Sequence, residues 1–247
     1  MLQETRILMG MPITVAIVDS EAKQSDLIRI FDYFQAIDGR FSPFKKTSET
    51  SAVDRGVPQR DWSHDMKEIA ALAEKTKEET EGYFNLMTPD GKFNPVGVVK
   101  GWAIKNASDT LRKAGFRNFY IDAGGDIEAG GLNGHGGKWS IGIKNPFKQD
   151  EIVRTLFITD QGIATSGTYI RGDHIYDPHT GRTEHNIVSL TVVGPDVCEA
   201  DRFATGAFAM GEKGIQFIEK TPRLEGYMID KNGVATMTSG FLKFTIK

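Results

Sequence analysis

Asp201 and Thr205 stand four residues apart in "CEADRFATGAFAMG", so their oxygens share one face of a helix. The rest of that helix is small or apolar (Ala200, Phe203, Ala204, Ala207, Phe208), and Gly211 stands where a C-terminal cap belongs. One ionised and one neutral oxygen suit a hard cation such as Mg²⁺. Two protein oxygens do not close a cage, so substrate phosphates and water would have to complete the octahedron. The same pair also has a purely structural reading: an Asp near a first helical turn, and a Thr bonded back to its own backbone. Spacing alone favours that second reading.

A second candidate lies in "FNPVGVVKGWAIKNA". Pro95 and Gly97 precede a helix expected from about Val98 to Ala114, whose first amides are open to an anion. Lys100 falls in its first turn, where a cation opposes the helix dipole; it is either solvated or faces a bound negative group. The run "DAGGDIEAGGLNGHGG" either cradles phosphate through backbone N–H groups or is a strand end followed by a loose hairpin, and the spacing favours the second. "TSGTYIRGDHIYDPHTGR" gathers His174, Asp177 and His179 around a turn. A single His is more often hydrogen-bonded scaffolding than a catalyst. The G-x-x-x-x-G-K-[ST], H-E-x-x-H and strand-to-helix G-x-G-x-x-G patterns are absent.

The elements that must position these residues belong to an ordinary soluble chain. It has 247 residues, 39% hydrophobic and 26% charged, enough for a substantial core. A net charge of -3 with dispersed Lys and Arg argues against a general nucleic-acid binder. Cys198 is the one cysteine, which excludes an internal disulfide framework and a multi-cysteine zinc site; it reads as core. No apolar run approaches the roughly 20 residues of a membrane span. The start lacks a signal peptide or lipobox, so the chain as given is expected to be cytoplasmic.

"MPITVAIVD" alternates as a strand, and "SEAKQSDLIRIFDYFQAID" carries a helical stripe of Leu27, Ile28, Ile30, Phe31, Phe34 and Ile37. "SPFKKTSETSAVDRGVP" reads as a loop or short turn. "DWSHDMKEIAALAEKTKEETEG" reads as a helix burying Met66, Ile69, Ala70 and Leu72 and ending at Gly82, before the irregular "FNLMTPDGKFNP". Beyond the Lys100 helix come short strands, then the Asp201 helix, a short helix near "KGIQFIEKT", and a hairpin turning at "KNG". The expectation is a single α+β unit over residues 1–247 with a largely antiparallel sheet flanked by helices.

In order, these segments resemble the ApbE family of FAD:protein FMN transferases. The landmarks are "MGMPITVAIVD", "GYF", "GVVKGWA", "GGDI", "ATSGTY", "HIYDPHTG" and "TVVGP…EADRFATGAFAMG", covering nearly the whole chain. The resemblance implies an ApbE-like, T-fold-like architecture. It implies Mg²⁺ as cofactor, FAD as substrate, and transfer of the FMN half to a threonine or serine hydroxyl of an acceptor flavoprotein, with a phosphoester formed and AMP released. Family positions carried onto this chain give Asp201, Thr205 and the Gly97 carbonyl as the metal set, with the Ala204 carbonyl close by. Flavin contacts fall on Met9 or Met11, Gly82, Tyr83, Asn94, Lys100 and the His174–Ile175 segment, while Gly124, Gly125 and Asp126 shape the pocket wall. Lys100 would then supply a second positive charge and the amides after Gly97 further donors. Either His174 or Asp201 would take the acceptor proton, with Asp201 mainly on the metal and His174 moving a proton or orienting the flavin. The chain departs from many members in carrying Asn94 for Asp, Asp54 for Asn, and a short stretch between Tyr83 and Gly97. Many members are exported lipoproteins, and this chain shows no such leader. A Mg²⁺-dependent FAD pyrophosphatase would use the same site. A non-catalytic FAD-binding protein would need no metal pair.

Overall fold

The computed structural model describes residues 1–168, 175–183 and 186–246. Strand β1 (Leu2–Leu8) pairs antiparallel with β2 (Met11–Ile17). Between them Met9 and Gly10 are left-handed at φ 54° and 73°, the backbone that matches hairpin twist in a two-residue turn. Helix α1 (Gln24–Phe41) buries Leu27, Ile30, Phe31, Phe34, Ile37 and Phe41. Ile28, which the apolar stripe had placed inside, lies off that face and is 41% exposed. The polar segment expected as a loop contains a short helix, α2 (Glu49–Asp54), because the Ser48 hydroxyl accepts the Ser51 N–H at 3.1 Å. Helix α3 (His64–Glu79) is capped in the same way by Ser63 and is followed by Glu81 and Gly82, both at positive φ.

Helix α4 (Val96–Lys113) begins earlier than the sequence suggested. Asn94 Oδ1 accepts the Val96 N–H at 3.1 Å, and the Pro95 carbonyl accepts from Val98 and Val99. Gly97 therefore lies inside the first turn rather than before it, and Lys100 is the fifth helical residue. The first-turn amides expected to be open to an anion are, at Val96, Val98 and Val99, already engaged within the chain.

The remaining elements are β3 (Phe119–Ala123), β4 (Asp126–Gly130), β5 (Trp139–Asn145), β6 (Lys148–Ile158), β7 (Gln161–Gly167), β8 (Tyr176–Asp177), β9 (Arg182–Thr183), β10 (Ile187–Gly194), α5 (Val197–Ala209), α6 (Gly214–Lys220), β11 (Glu225–Asp230) and β12 (Ala235–Met237). The glycine-rich run is thus a strand end, a Gly124–Gly125 turn and a second strand, the hairpin the spacing favoured, with β4 regular and buried rather than loose. Eight strands form one antiparallel sheet in the order β1-β2-β3-β4-β7-β10-β11-β12, while β5–β6 and β8–β9 are separate ribbons. This is the expected α+β architecture.

Side chains alternate between two cores. On one face, Ile13, Val15, Phe119 and Ile121 meet α1 and α4, and Leu190 and Val192 meet Ala204, Ala207 and Phe208 of α5. On the other, Ile127, Ile163, Val193 and Tyr227 meet Trp139, Ile141, Ile143, Leu156 and Ile158 of the β5–β6 ribbon. Strand β4 lies between both layers, and all five of its residues are buried. Its apolar Ile127 and Ala129 face the ribbon, so its carboxylates Asp126 and Glu128 are driven toward the helices. Buried acids demand partners, and those partners build the site.

Candidate active site

Helices α4 and α5 pack with almost no space between them. A Cβ added to Gly101 would lie 2.8 Å from Asp201 Cβ and 3.0 Å from the Cys198 Cα. At that approach the Gly101 N–H donates to Asp201 Oδ2 at 2.9 Å. In a regular helix this amide serves the Gly97 carbonyl, so the carboxylate competes for the donor. Gly101→Ala is expected to cost about 1–3 kcal/mol by overpacking. A lowered urea midpoint with unchanged slope checks it.

Asp201 is 4% exposed and shares its surroundings with Lys100 and Asp126. Lys100 Nζ forms an ion pair with Asp126 and lies 3.7 Å from Asp201 Oδ1. Asp126 Oδ1 accepts the Thr165 N–H at 3.2 Å, whereas its buried Oδ2, despite the ion pair, receives no well-formed hydrogen bond. Two carboxylates thus share one ammonium, so one negative charge is in excess whenever both are ionised. Burial pushes the Asp201 carboxyl well above the usual carboxylate range; Lys100 pulls it down, and the neighbouring Asp126 pushes it up again. The position of Lys100 against the helix dipole is explained by these carboxylates of β4 and α5.

Thr205 Oγ1 donates to the Asp201 carbonyl at 3.0 Å, the back-bonded arrangement the sequence favoured. That bond commits the proton and leaves the oxygen lone pairs as the remaining functionality. Gly97 is alongside: a Cβ there would lie 3.7 Å from Thr205 Cγ2 and 2.9 Å from the Phe84 ring. Helix α5 is held in register at its start, where Asp196 Oδ1 accepts the Glu199 N–H at 2.9 Å and Glu128 Oε2 accepts the Val197 N–H at 2.8 Å. Further along, the buried Arg202 guanidinium bonds Glu199 at 2.7 Å and ion-pairs with Glu79 of α3.

These groups open on a cavity of about 880 Å³. Asp201, Thr205, Gly97 and Lys100 line it, together with the expected Met11, Tyr83, Asn94, Gly124, Gly125 and Ile175. Asp126 acts from the buried partner position behind Lys100. Besides Asp126, three expected positions are not brought to the cavity wall. Met9 lies in the β1–β2 turn packed on the α1 core, and Ala204 is fully buried within the α5 core. Gly82 shapes a corner beside His179, whose ring is 3.0 Å from where its Cβ would be. His174 lies outside the described residues. His179 is scaffolding: its ring bonds the Glu81 carbonyl at 3.1 Å and meets the Tyr83 ring edge-on at 4.6 Å. Cys198, expected in the core, is half-buried and packs against it, its thiol pushed up by burial. Asp54 accepts the Phe93 N–H at 3.0 Å and so ties α2 to the irregular segment before α4.

Sequence reasoning missed the far end of the cavity. Tyr120 and Asp122 of β3 line it from the ribbon side, as do residues of β5. Asp122 Oδ1 accepts the Gly125 N–H at 2.8 Å and Oδ2 the Tyr120 hydroxyl at 3.1 Å, and burial raises its carboxyl. The signal was present in "FYIDA", where Tyr and Asp take the parity opposite to Phe119, Ile121 and Ala123.

Comparison with known proteins agrees with this architecture. The ApbE family pattern matches residues 86–228. The chain is 30% identical over 189 residues to the FAD:protein FMN transferase of Escherichia coli K12, covering 72% of this chain and 54% of that protein. It is 35% identical over 144 residues to that of Vibrio cholerae serotype O1, covering 54% and 43%. The chain therefore spans about half the length of the curated relatives it matches. In fold it superposes on the flavin transferase ApbE from Vibrio cholerae with a TM-score of 0.87 at 23% identity, covering 98% of each chain. On the ApbE protein of Thermotoga maritima the score is 0.88 at 18% identity, covering 100% and 99%. On the strength of the matched segment and the site it contains, the chain belongs to the ApbE family.

Proposed function

We propose that this chain transfers the FMN half of FAD to a threonine or serine hydroxyl of an acceptor flavoprotein, using Mg²⁺ held by Asp201, Thr205 and the Gly97 carbonyl. The observation that carries this is the unbalanced charge at the cavity wall: two buried carboxylates share one ammonium, with an Asp126 oxygen lacking a hydrogen bond. Such a set fits a divalent cation, since an ion there would neutralise charge that burial penalises. The neighbouring Thr205 offers lone pairs, and Asp201 competes for the amide that would otherwise serve the Gly97 carbonyl. The names borne by the curated relatives support the same reaction.

When bound, the metal supplies a Lewis acid and counter-charge for the diphosphate. The chain's own residues do the rest. Lys100 holds Asp201 and Asp126 in place and adds a positive charge at the cavity wall, where a dianionic diphosphate would otherwise be repelled. The walls from Met11 to Tyr83 and from Gly124 to Ile175 confine the dinucleotide, which limits its approach to a few orientations. In the transfer, the acceptor oxygen bonds to the FMN phosphorus, the anhydride P–O bond breaks, and AMP leaves with the bridging oxygen. The acceptor proton passes to a base: Asp201 already accepts the Gly101 N–H and faces Lys100, and His174, the other candidate, lies outside the described residues.

Incubation with FAD, MgCl₂ and threonine-containing peptides, read by mass spectrometry, tests this. A peptide heavier by one FMN group, with AMP, is the expected result. Free FMN with AMP and no modified peptide would make the chain a pyrophosphatase, and unchanged FAD a binding protein.

A further inference from the structure

Strand β5 meets the cavity in an unusual way. Five consecutive residues, Ser140 to Lys144, line it. A strand that presents a face lines a cavity with every second residue, as β3 does with Tyr120 and Asp122. A consecutive run means that the cavity wall is the strand's edge, with its backbone N–H and C=O groups.

That edge is available for pairing. β5 is bonded to β6 along one side and, among the described residues, to no strand along the other. It is also rigid, because Trp139, Ile141 and Ile143 are buried against the sheet at 9%, 7% and 5% exposure. Its outward positions, Ser140, Gly142 and Lys144, are exposed. Natural sheets guard such edges with lysines, prolines and bulges. Here the lysine, Lys144, and the register shifts on either side of it fall together at one end, leaving Trp139 to Ile143 in regular register. At about 3.3 Å per residue that stretch is roughly 17 Å long. The imide of a flavin ring would occupy a single residue of it, whereas an extended peptide uses all of it.

We infer that the β5 edge is the docking strand for the acceptor, which adds to the β5–β6 ribbon as a third strand and so carries its hydroxyl into the cavity shared with Asp201 and Thr205. This rests on the transfer reading above. Main-chain pairing supplies affinity with little dependence on sequence, and alternate acceptor side chains point toward and away from the reacting phosphate.

The test uses nine-residue peptides with a central threonine and the other positions randomised, incubated with the intact chain, FAD and MgCl₂. The best-labelled peptide is then resynthesised with each backbone amide N-methylated in turn. Amides of an added strand point alternately toward and away from β5. Methylation should therefore lower transfer about tenfold or more at every second position and little between, the order expected when a hydrogen bond is removed and its partner left unsatisfied. Hydrogen exchange of β5 amides should slow when this peptide is added to the FAD-loaded chain. Equal tolerance or equal loss at all positions would overturn the docking strand while leaving transfer intact. Slowing by FAD alone would assign the edge to the flavin and overturn it as well. If no peptide gains FMN, the transfer reading fails and the docking strand fails with it.

Discussion

Asp201→Asn is expected to lose Mg²⁺-dependent FMN transfer by about 10²–10³-fold, the range seen when a preorganised electrostatic group is removed, while the chain stays folded. The variant keeps the shape and the acceptor for the Gly101 N–H. It removes the one negative charge in excess, so Lys100 and Asp126 become a balanced pair. The stability effect has a definite sign. Burial raises the Asp201 carboxyl in the folded chain, so folding disfavours its ionised form. Wild-type stability from this group is therefore greatest below the unfolded carboxylate range, near pH 3.9, and declines as pH rises toward the elevated folded value. Asn has no ionised form and lacks that decline. In metal-free buffer at pH 8 the variant should unfold at a higher urea concentration than wild type, and the difference should vanish near pH 3. Added MgCl₂ should stabilise wild type and leave the variant unchanged. An Asp201→Asn chain that turns over FAD at the wild-type rate, or gains the same Mg²⁺ stabilisation, would remove this carboxylate from the metal set.

Much of this site was legible because helical spacing is rigid. Once "EADRFATG" is helical, Asp201 and Thr205 must share a face, and the structure places both at the cavity. The antiparallel sheet was likewise readable from short alternating strands. What escaped was whatever depends on the partner across an interface. Lys100 looked like a cation awaiting a ligand because its partners, Asp126 and Asp201, lie 26 and 101 residues away in sequence. The amides at the start of α4 looked open because the bond from Val96 to the Asn94 side chain depends on local geometry. Strand β4 was read only as part of a loose hairpin because glycine-rich composition outweighs five residues of alternation. Its acidic residues made sense only when helices covered one face and the ribbon the other. The same long-range dependence hid the edge of β5, since a strand's sequence reports its faces and says nothing about which edge is paired.

Glu128→Ala should lower the unfolding free energy by about 2–4 kcal/mol, the sum expected for an unsatisfied buried amide and a small cavity. Glu128 is 1% exposed, accepts the Val197 N–H at 2.8 Å, and bonds Arg112 at 3.0 Å. Arg112 is about one-third exposed and can recover solvent. The Val197 amide cannot, since it opens α5 where the helix butts against β7, so most of the loss falls there. Glu128→Gln separates charge from geometry, because its amide oxygen can still accept from Val197. Burial raises the Glu128 carboxyl, and the Val197 amide and Arg112 only partly offset it. Wild-type stability from this group therefore falls as pH rises above the unfolded carboxylate range, and the Gln variant should show a flatter profile there. Activity distinguishes the two variants as well. Val197 begins the helix that carries Asp201 and Thr205, so releasing it lets that helix shift against α4. Transfer by the Ala variant should drop at temperatures where circular dichroism still shows the chain folded, and the Gln variant should retain most of it. If Glu128→Ala unfolds at the wild-type urea concentration and keeps full activity, the register of α5 is set by α4 and Arg202 alone.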